Sequence, residues 1–442
     1  MTTNDASAMT GPTVDDTRAR PSGTNAKVIR GAVLGSIVEY YDFGIYGYMA
    51  TVLSAQFFVK DDPAAALLGT FAAFAVAFFL RVPGGIFFGH MGDKYGRKRA
   101  LTWTILLMTV ATAVMGMLPT YVTLGVWATV LLTLSRCLQG FAAGGELSGA
   151  NSFVSEHAPR RWRAFHTSMV NAGVYIGSLC AALMALLLTS VLSEEQVGAW
   201  GWRLPFLLSL VIGLTGLWIR SSLDETKQFK ELQRREEVEQ VPLFALLRSA
   251  KREVLIIIAL GGLITGGAYI ASVYSATYLQ TVGGHSPQLA FASICIAIVL
   301  GMITLPISGY LGDRVGRKPL LIAGSAAGAV LGVPMFMLMS DGPALLAAVA
   351  PGVLFICVSV VNGVSFAVYA EMLQARFRYS GIALGNNVTN MLLGGPAPFV
   401  ATLLLTATGS ELAPAGYFVV CALVSLVACA FVKETKGSEL AA

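Results

Sequence analysis

The strongest constraint on this chain is a recurrence. Twelve runs of roughly 18 or more mostly apolar residues follow one another at 31–56, 65–88, 100–119, 122–146, 165–190, 202–219, 254–281, 289–311, 319–339, 343–367, 380–405 and 414–432. Of the 442 residues, 55% are hydrophobic and 12% charged. A water-soluble fold of that size could not hide so much apolar surface. Each run reads as a helix crossing a lipid bilayer, so the expected fold is an all-α integral membrane protein with twelve transmembrane helices. An even number of spans puts both termini on one side.

The placement of charge orients the chain. With the N-terminus assigned to the cytoplasm, 26 of the 30 Lys and Arg fall in cytoplasmic segments. Only Lys60 is basic in the outer loops, and Arg81, Arg136 and Arg203 lie inside or at the ends of spans. Basic residues accumulate on the cytoplasmic side of membrane proteins, so both termini are expected there. The basic clusters read as topology signals and inner-leaflet contacts, so no nucleic-acid partner is expected. All six cysteines fall in spans, which argues against disulfides. No Cys/His spacing suggests a metal, and no cofactor motif is found. Residues 1–28 are polar and rich in Thr, Asp and Pro, and read as a disordered cytoplasmic tail.

The chain repeats itself. "GHMGDKYGRKRAL" at 89–101 is echoed by "GYLGDRVGRKPLL" at 309–321, which sets Asp93 and Asp313 220 residues apart. "SEHAPRRWR" at 155–163 is echoed by "AEMLQARFR" at 370–378, and Glu156 and Glu371 each precede an Arg by seven residues. Asn171 answers Asn386 at nearly the same offset. The longest polar break, 220–252, divides the spans six and six. The expected organisation is a tail (1–28), an N-terminal six-helix bundle (29–220), a cytoplasmic linker (221–252), a C-terminal six-helix bundle (253–433) and a tail (434–442). Two pseudo-symmetric bundles around a central cavity can rock about a midplane site, which gives alternating access.

The chain resembles the major facilitator superfamily over nearly its whole length. The Gly-x-x-x-Asp-x-x-Gly-Arg-Lys loop is that superfamily's most diagnostic motif, and it stands here twice, at Gly89, Asp93, Gly96, Arg97 and Lys98 and at Gly309, Asp313, Gly316 and Arg317. "RCLQGFAAGG" at 136–145 resembles its span-4 motif. "VEYYDFGIYG", "LQGFAAGGE" ending at Glu146, "WGWRLPF" and "LDET" are together similar to the metabolite:proton symporters, carriers of proline/betaine, shikimate, 2-oxoglutarate and citrate. The resemblance implies the major facilitator fold and proton-coupled import by a monomer. This chain departs from the family at Leu147, where an aromatic is common, and at Gln374, where Pro is common. A long C-terminal coiled coil is not found, so osmosensing through such a tail is not expected.

The loop motifs suggest latches. An acid beside a basic run can hold one side shut and release when the bundles tilt. Glu146, Glu156 and Glu371 join Asp93, Arg97, Lys98, Asp313 and Arg317 as gating candidates. A plain topology role for the basic residues would not need Asp93 or Asp313.

Charges inside the spans are few, and each costs roughly 2.5–3.5 kcal/mol at a helix centre. Asp42 lies about 16 Å into span 1, near the midplane. Glu39 and Asp42 stand at i, i+3 on one face, extended by Gly35 and Tyr46, so this stripe must face a cavity. Two carboxylates this close, away from water, cannot both stay charged cheaply; a nearby Arg opposes the uptake of a proton. Glu39, Asp42 and Arg136 are therefore the proton-coupling candidates. A permanent ion pair with Arg81 or Arg136 that only ties helices together is the rival reading.

Spans 7 to 11 offer hydroxyls and amides instead of charge. The substrate-site candidates are Arg81, Arg136, Tyr46, Asn171, Tyr269, Tyr274, Asn386 and Asn390, with the alternative that the neutral ones are plain helix–helix hydrogen bonds. Guanidinium matches carboxylate geometry, so the expected substrate is a small carboxylate-bearing metabolite, a zwitterion such as proline or betaine or a monocarboxylate. A di- or tricarboxylate is the alternative. A drug–proton antiporter is disfavoured because span 5 lacks the Gly-Pro-rich motif of such exporters. No signalling domain, nucleophile or metal constellation supports a receptor or an enzyme.

Overall fold

The computed structural model describes residues 23–59, 62–95, 97–144, 146–221, 246 and 248–440. All its regular elements are helical. In chain order the main ones are α1 Gly23–Tyr48, α2 Ala50–Phe57, α3 Pro63–Tyr95, α4 Arg97–Met117, α5 Val126–Ala142, α6 Glu146–His157, α7 Arg163–Val191 and α8 Arg203–Ser221. The second half supplies α9 Lys251–Gly261, α10 Ser275–Thr281, α11 Pro287–Val315, α12 Arg317–Asp341, α13 Ala344–Met372, α14 Ala375–Thr389, α15 Ala397–Thr408 and α16 Ala413–Phe431. In a bilayer each backbone group needs a partner within its own segment, which is why uninterrupted apolar runs become helices.

Among the described residues, eight helices are long and apolar enough to cross a membrane. Glu194–Gly201 and Arg203–Trp218, bent by 51°, form a further candidate, and Thr102–Met117 and Val126–Ala142 are apolar but shorter. With α1 and α2, these supply the twelve expected stretches. Large apolar side chains such as Trp103, Trp127, Trp218 and Leu345 are exposed on the outside, as suits a lipid-facing surface.

Several boundaries differ from expectation. Helix α1 begins at Gly23, inside the segment read as an irregular tail. The expected span 122–146 ends as a helix at Ala142, and α6 starts afresh at Glu146. The small residues there serve contact with α3: a Cβ on Gly140 would collide with the Ala77 carbonyl, and one on Gly84 with the Phe141 carbonyl. The second-half motif is hardly a loop. Helix α11 runs to Val315 and α12 starts at Arg317, turned by Gly316 at φ 126°, a conformation that favours glycine. Asp313, Arg317 and Glu371 are thus helical residues. The linker falls almost wholly outside the described residues.

Spans 7 and 11 widen locally into π-helix at Gly262–Gly267, Ile270–Tyr274 and Asn390–Gly394. Such bulges re-aim side chains and recur at functional sites. The halves meet where α7 packs on α11 and α13, where α3 packs on α14 and α15, and where α1 meets the Ile270–Tyr274 turn.

Candidate functional site

The two acids of α1 share a face, yet they have different partners. Glu39 forms an ion pair with Arg81 of α3, with both side chains nearly inaccessible. Asp42 has no Lys or Arg nitrogen within ion-pair reach among the described residues. Its Oδ2 accepts a hydrogen bond from the Thr112 hydroxyl of α4 at 2.9 Å. Thr112 Oγ1 accepts in turn from the Gln139 amide of α5 at 2.8 Å. Gln139 Oε1 accepts from Arg136 Nη1 one helical turn away. A hydrogen-bonded chain through three helices therefore joins Asp42 to Arg136, and all four side chains are fully buried.

The arginines lie among aromatic rings. The Arg136 guanidinium stands 4.2 Å from the Tyr46 ring centre, 4.9 Å from Phe43 and 5.0 Å from Phe74. Arg81 stands 4.7 Å from Phe43 and 5.1 Å from Phe78. Cation–π attraction at these distances offsets part of the cost of burying the charges. Tyr269 closes the group from the other half, edge-on to Phe74 and Phe78 at 5.5 and 5.4 Å. Five buried polar atoms here have no partner: Asp42 Oδ1, Arg81 Nε, Arg136 Nε and Nη2, and the Tyr269 hydroxyl. Nε and Nη2 of Arg136 are one forked edge of the guanidinium, the edge that grips a carboxylate with two bonds.

The remaining substrate candidates are dispersed. Tyr46 donates its hydroxyl to the Thr70 carbonyl and offers only its ring to Arg136. Asn171 does not meet its sequence echo Asn386. It accepts from Asn151 at 3.1 Å and donates to Asn362 at 3.5 Å across the halves. Asn362 donates to the Tyr175 hydroxyl at 3.3 Å, which lies 3.1 Å from Ser359. Asn390 donates to the Asn386 carbonyl of its own helix at 2.9 Å. Tyr274 packs against Phe71 and Tyr278, and Tyr278 reaches the Glu411 carbonyl between α15 and α16. Of the C-terminal candidates, Tyr269 is the one packed on the aromatic faces around the arginines.

At the end of the bundles that carries the basic loops, the repeated Glu-and-Arg pattern is cross-wired. Arg163 donates its Nε to the Ser155 carbonyl and its Nη1 to Glu371 of the other half at 2.7 Å. Arg378 donates its Nε to the Ala370 carbonyl and its Nη1 to Glu156 at 2.9 Å. Each arginine is seated by its own repeat and pairs with the acid of the other. Glu371 also holds Arg317 at 3.2 Å, and Arg317 holds Asp313 at 2.9 Å. Asp313 then accepts the Ala164 and Phe165 N–H groups at 3.1 and 2.9 Å, capping the start of α7 across the divide. Gly309 allows this approach, since a Cβ there would stand 2.8 Å from the Ala164 carbonyl. Gly89, Asp93, Gly96, Arg97, Lys98 and Glu146 fall outside the described residues or side chains.

The C-terminal segment extends this network of ion pairs and hydrogen bonds. Glu434 accepts the N–H groups of Arg317 and Lys318 at 2.9 and 3.0 Å. Arg163 donates to the Ser438 carbonyl at 3.2 Å, and Arg160 pairs with Glu439 at 2.9 Å. Partial burial alone would raise the Glu434 carboxyl, but the backbone donors of Arg317, Lys436 and Lys318 outweigh it and hold it below its ordinary range.

Several of these residues escaped the sequence reading. Thr112 carries no signal, because a Thr in a span satisfies itself on its own helix, as Thr112 also can on Met108. Gln139 was visible as the polar residue one turn from Arg136. The latch arginines were visible in the echo, but not their exchange of partners.

A family model described as Major Facilitator Superfamily matches residues 32–398, and the chain belongs to that superfamily. It is 35% identical over 439 residues to the glycine betaine/proline/ectoine/pipecolic acid transporter OusA of Dickeya dadantii, covering 97% of this chain and 87% of that protein. It is 34% identical over 418 residues to the shikimate transporter of Escherichia coli, covering 92% and 94%. Its fold is similar to the crystal structure of a D-xylose-proton symporter, with a TM-score of 0.73, 17% identity and coverage of 94% and 99%. At that identity the likeness bears on the fold alone. The chain is a multi-pass membrane transporter and not an enzyme.

Proposed function

We propose that this chain imports a small zwitterion, one carboxylate and one quaternary or secondary ammonium, together with at least one proton. The observation that carries the reading is the free forked edge of Arg136, wholly buried among aromatic faces. The fork suits the carboxylate. The rings of Phe74, Phe78 and Tyr269 suit an alkylated ammonium, which binds aromatic faces without needing hydrogen bonds. Arg81 keeps a free Nε but is already neutralised by Glu39, which leaves Arg136 as the central cation without an ion-pair partner among the described residues and disfavours di- and tricarboxylates.

In this reading Asp42 carries the proton and Glu39 holds an arginine. A neutral Asp42 leaves Arg136 as the net charge that attracts the carboxylate. Once substrate is bound, its carboxylate compensates Arg136, its ammonium lies on the aromatic faces, and the bundles can exchange sides. The Glu371–Arg163 and Glu156–Arg378 pairs keep the basic end shut until that exchange. We place the basic end, and both termini, in the cytoplasm on the basic-residue bias, in the bacterial cytoplasmic membrane. The transporter works as a monomer. A zwitterion with one proton carries net positive charge inward, favoured by roughly 2.3 kcal/mol per 100 mV.

A shikimate-like monocarboxylate is the second reading, favoured by the hydrogen-bonding network of Asn171, Asn362, Tyr175 and Ser359 between the halves. A thermal-shift screen of the purified protein against glycine betaine, proline, shikimate and citrate separates them. Stabilisation by betaine and proline alone supports the zwitterion; stabilisation by shikimate alone supports the second reading. Radiolabelled uptake into proteoliposomes under an imposed pH gradient then tests coupling. Equal accumulation with and without an uncoupler contradicts proton symport.

A further inference from the structure

We propose that the Thr112 hydroxyl is a proton-state switch for Asp42, and that Gln139 ties this switch to Arg136. The inference rests on the reading of Asp42 as the proton site. Thr112 Oγ1 stands 2.9 Å from Asp42 Oδ2 and 3.0 Å from the Met108 carbonyl, so one hydroxyl proton has two acceptors. A hydroxyl donates once and accepts twice. Gln139 Nε2, held by the Arg136 contact to its own Oε1, supplies one of the accepted bonds in either state.

When Asp42 is charged, Thr112 donates to Oδ2. When Asp42 takes a proton on Oδ2, the direction reverses: the acid donates to Thr112 Oγ1, and the Thr112 proton turns to Met108. Within the protein no covalent bond other than the new O–H forms or breaks, and the single added proton resides on Asp42. In the protonated state every donor and acceptor of Thr112 is used.

Arg136 is the cation whose charge bears on Asp42, and it is held off by Gln139. The other titratable groups around Asp42 and Arg136 are Glu39 with Arg81, Tyr41 and Tyr46 on the Asp42 helix, Cys137 next to Arg136, Cys180 of α7 behind Tyr41, and Tyr269 across the halves. Thr112 and Gln139 are therefore positioning residues. They keep Arg136 free for a substrate carboxylate while Asp42 holds its proton, and they stabilise the carboxylate when the proton leaves.

The roles give opposite signs. T112V removes the donor that favours charged Asp42, a charge-assisted bond roughly twice as strong as its neutral counterpart. The acid then keeps its proton to a pH higher by about one unit. Q139L frees Arg136 Nη1 to approach Asp42, so the acid loses its proton at a lower pH. T112S keeps the hydroxyl and titrates as wild type.

The test is an infrared pH titration of the purified full chain in lipid, following the carboxylic C=O band that D42N abolishes. The expected result is an upward shift in T112V, a downward shift in Q139L and rescue in T112S. Shifts of the same sign in both variants, or none, overturn the proposal. If the titrating band persists in D42N, Asp42 is not the proton site and the underlying reading fails instead. If T112V does not fold, the downward shift in Q139L decides.

Discussion

The two halves repeat one another in sequence, yet their interiors differ. The N-terminal half buries Glu39, Asp42, Arg81 and Arg136, while the C-terminal half closes their aromatic surround with Tyr269 and offers neutral groups such as Asn362 elsewhere along the seam. At the basic end the balance reverses. Glu371 of the second half is fully buried with two arginines, whereas Glu156 pairs with Arg378 while 38% exposed. Duplication supplied one frame, and each half has concentrated its charge where it has a distinct task. The first half holds the proposed exchanging centre, and the second half holds the more deeply buried acid of the ion pairs at the basic end.

The largest effect that can break this comparison is at the centre. R136A is expected to lower uptake by about 100-fold or more, because a buried cation facing a carboxylate contributes several kcal/mol. Y269F, on the neutral side, should cost far less in the same uptake assay. Next comes the structural pair: E39Q alone should destabilise the fold by about 3–5 kcal/mol, while E39L combined with R81M recovers most of that loss. Thermal denaturation of the single and double variants measures it.

The latch sharpens the contrast. E371Q should open the basic end, read as faster labelling of a cysteine introduced there, whereas E156Q should change it by an amount worth about 1 kcal/mol or less. The smallest effect concerns the C-terminal segment. Glu434 is held below its ordinary value, so its carboxylate anchors the segment throughout neutral pH. The anchor is lost only as pH falls through that lowered value in acid. Limited proteolysis after residue 434 should therefore be unchanged near neutrality and rise under acid conditions, and E434Q should show the acid pattern at neutral pH.

Much of the architecture was legible because apolar runs, basic loops and repeats are all properties of a linear string. The site was legible in part. Glu39, Asp42, Arg81 and Arg136 stood out because charge in a membrane needs a reason. Which acid holds an arginine was not legible, since i, i+3 spacing fixes a shared face but not which helix comes opposite. The exchange of Glu156 and Glu371 between repeats was hidden for the same reason: the seven-residue spacing repeats in each half but does not say which arginine each acid meets once the halves dock. Thr112 and the aromatic faces are ordinary membrane residues, and only three-dimensional placement gives them a role.

The central claim is that Asp42 carries the coupling proton while Glu39 does not. It is tested most directly by D42N in proteoliposomes with radiolabelled proline, comparing accumulation under a pH gradient with exchange at equal pH. The expected result is loss of gradient-driven accumulation with exchange retained. Accumulation that still follows the pH gradient in D42N would contradict the account.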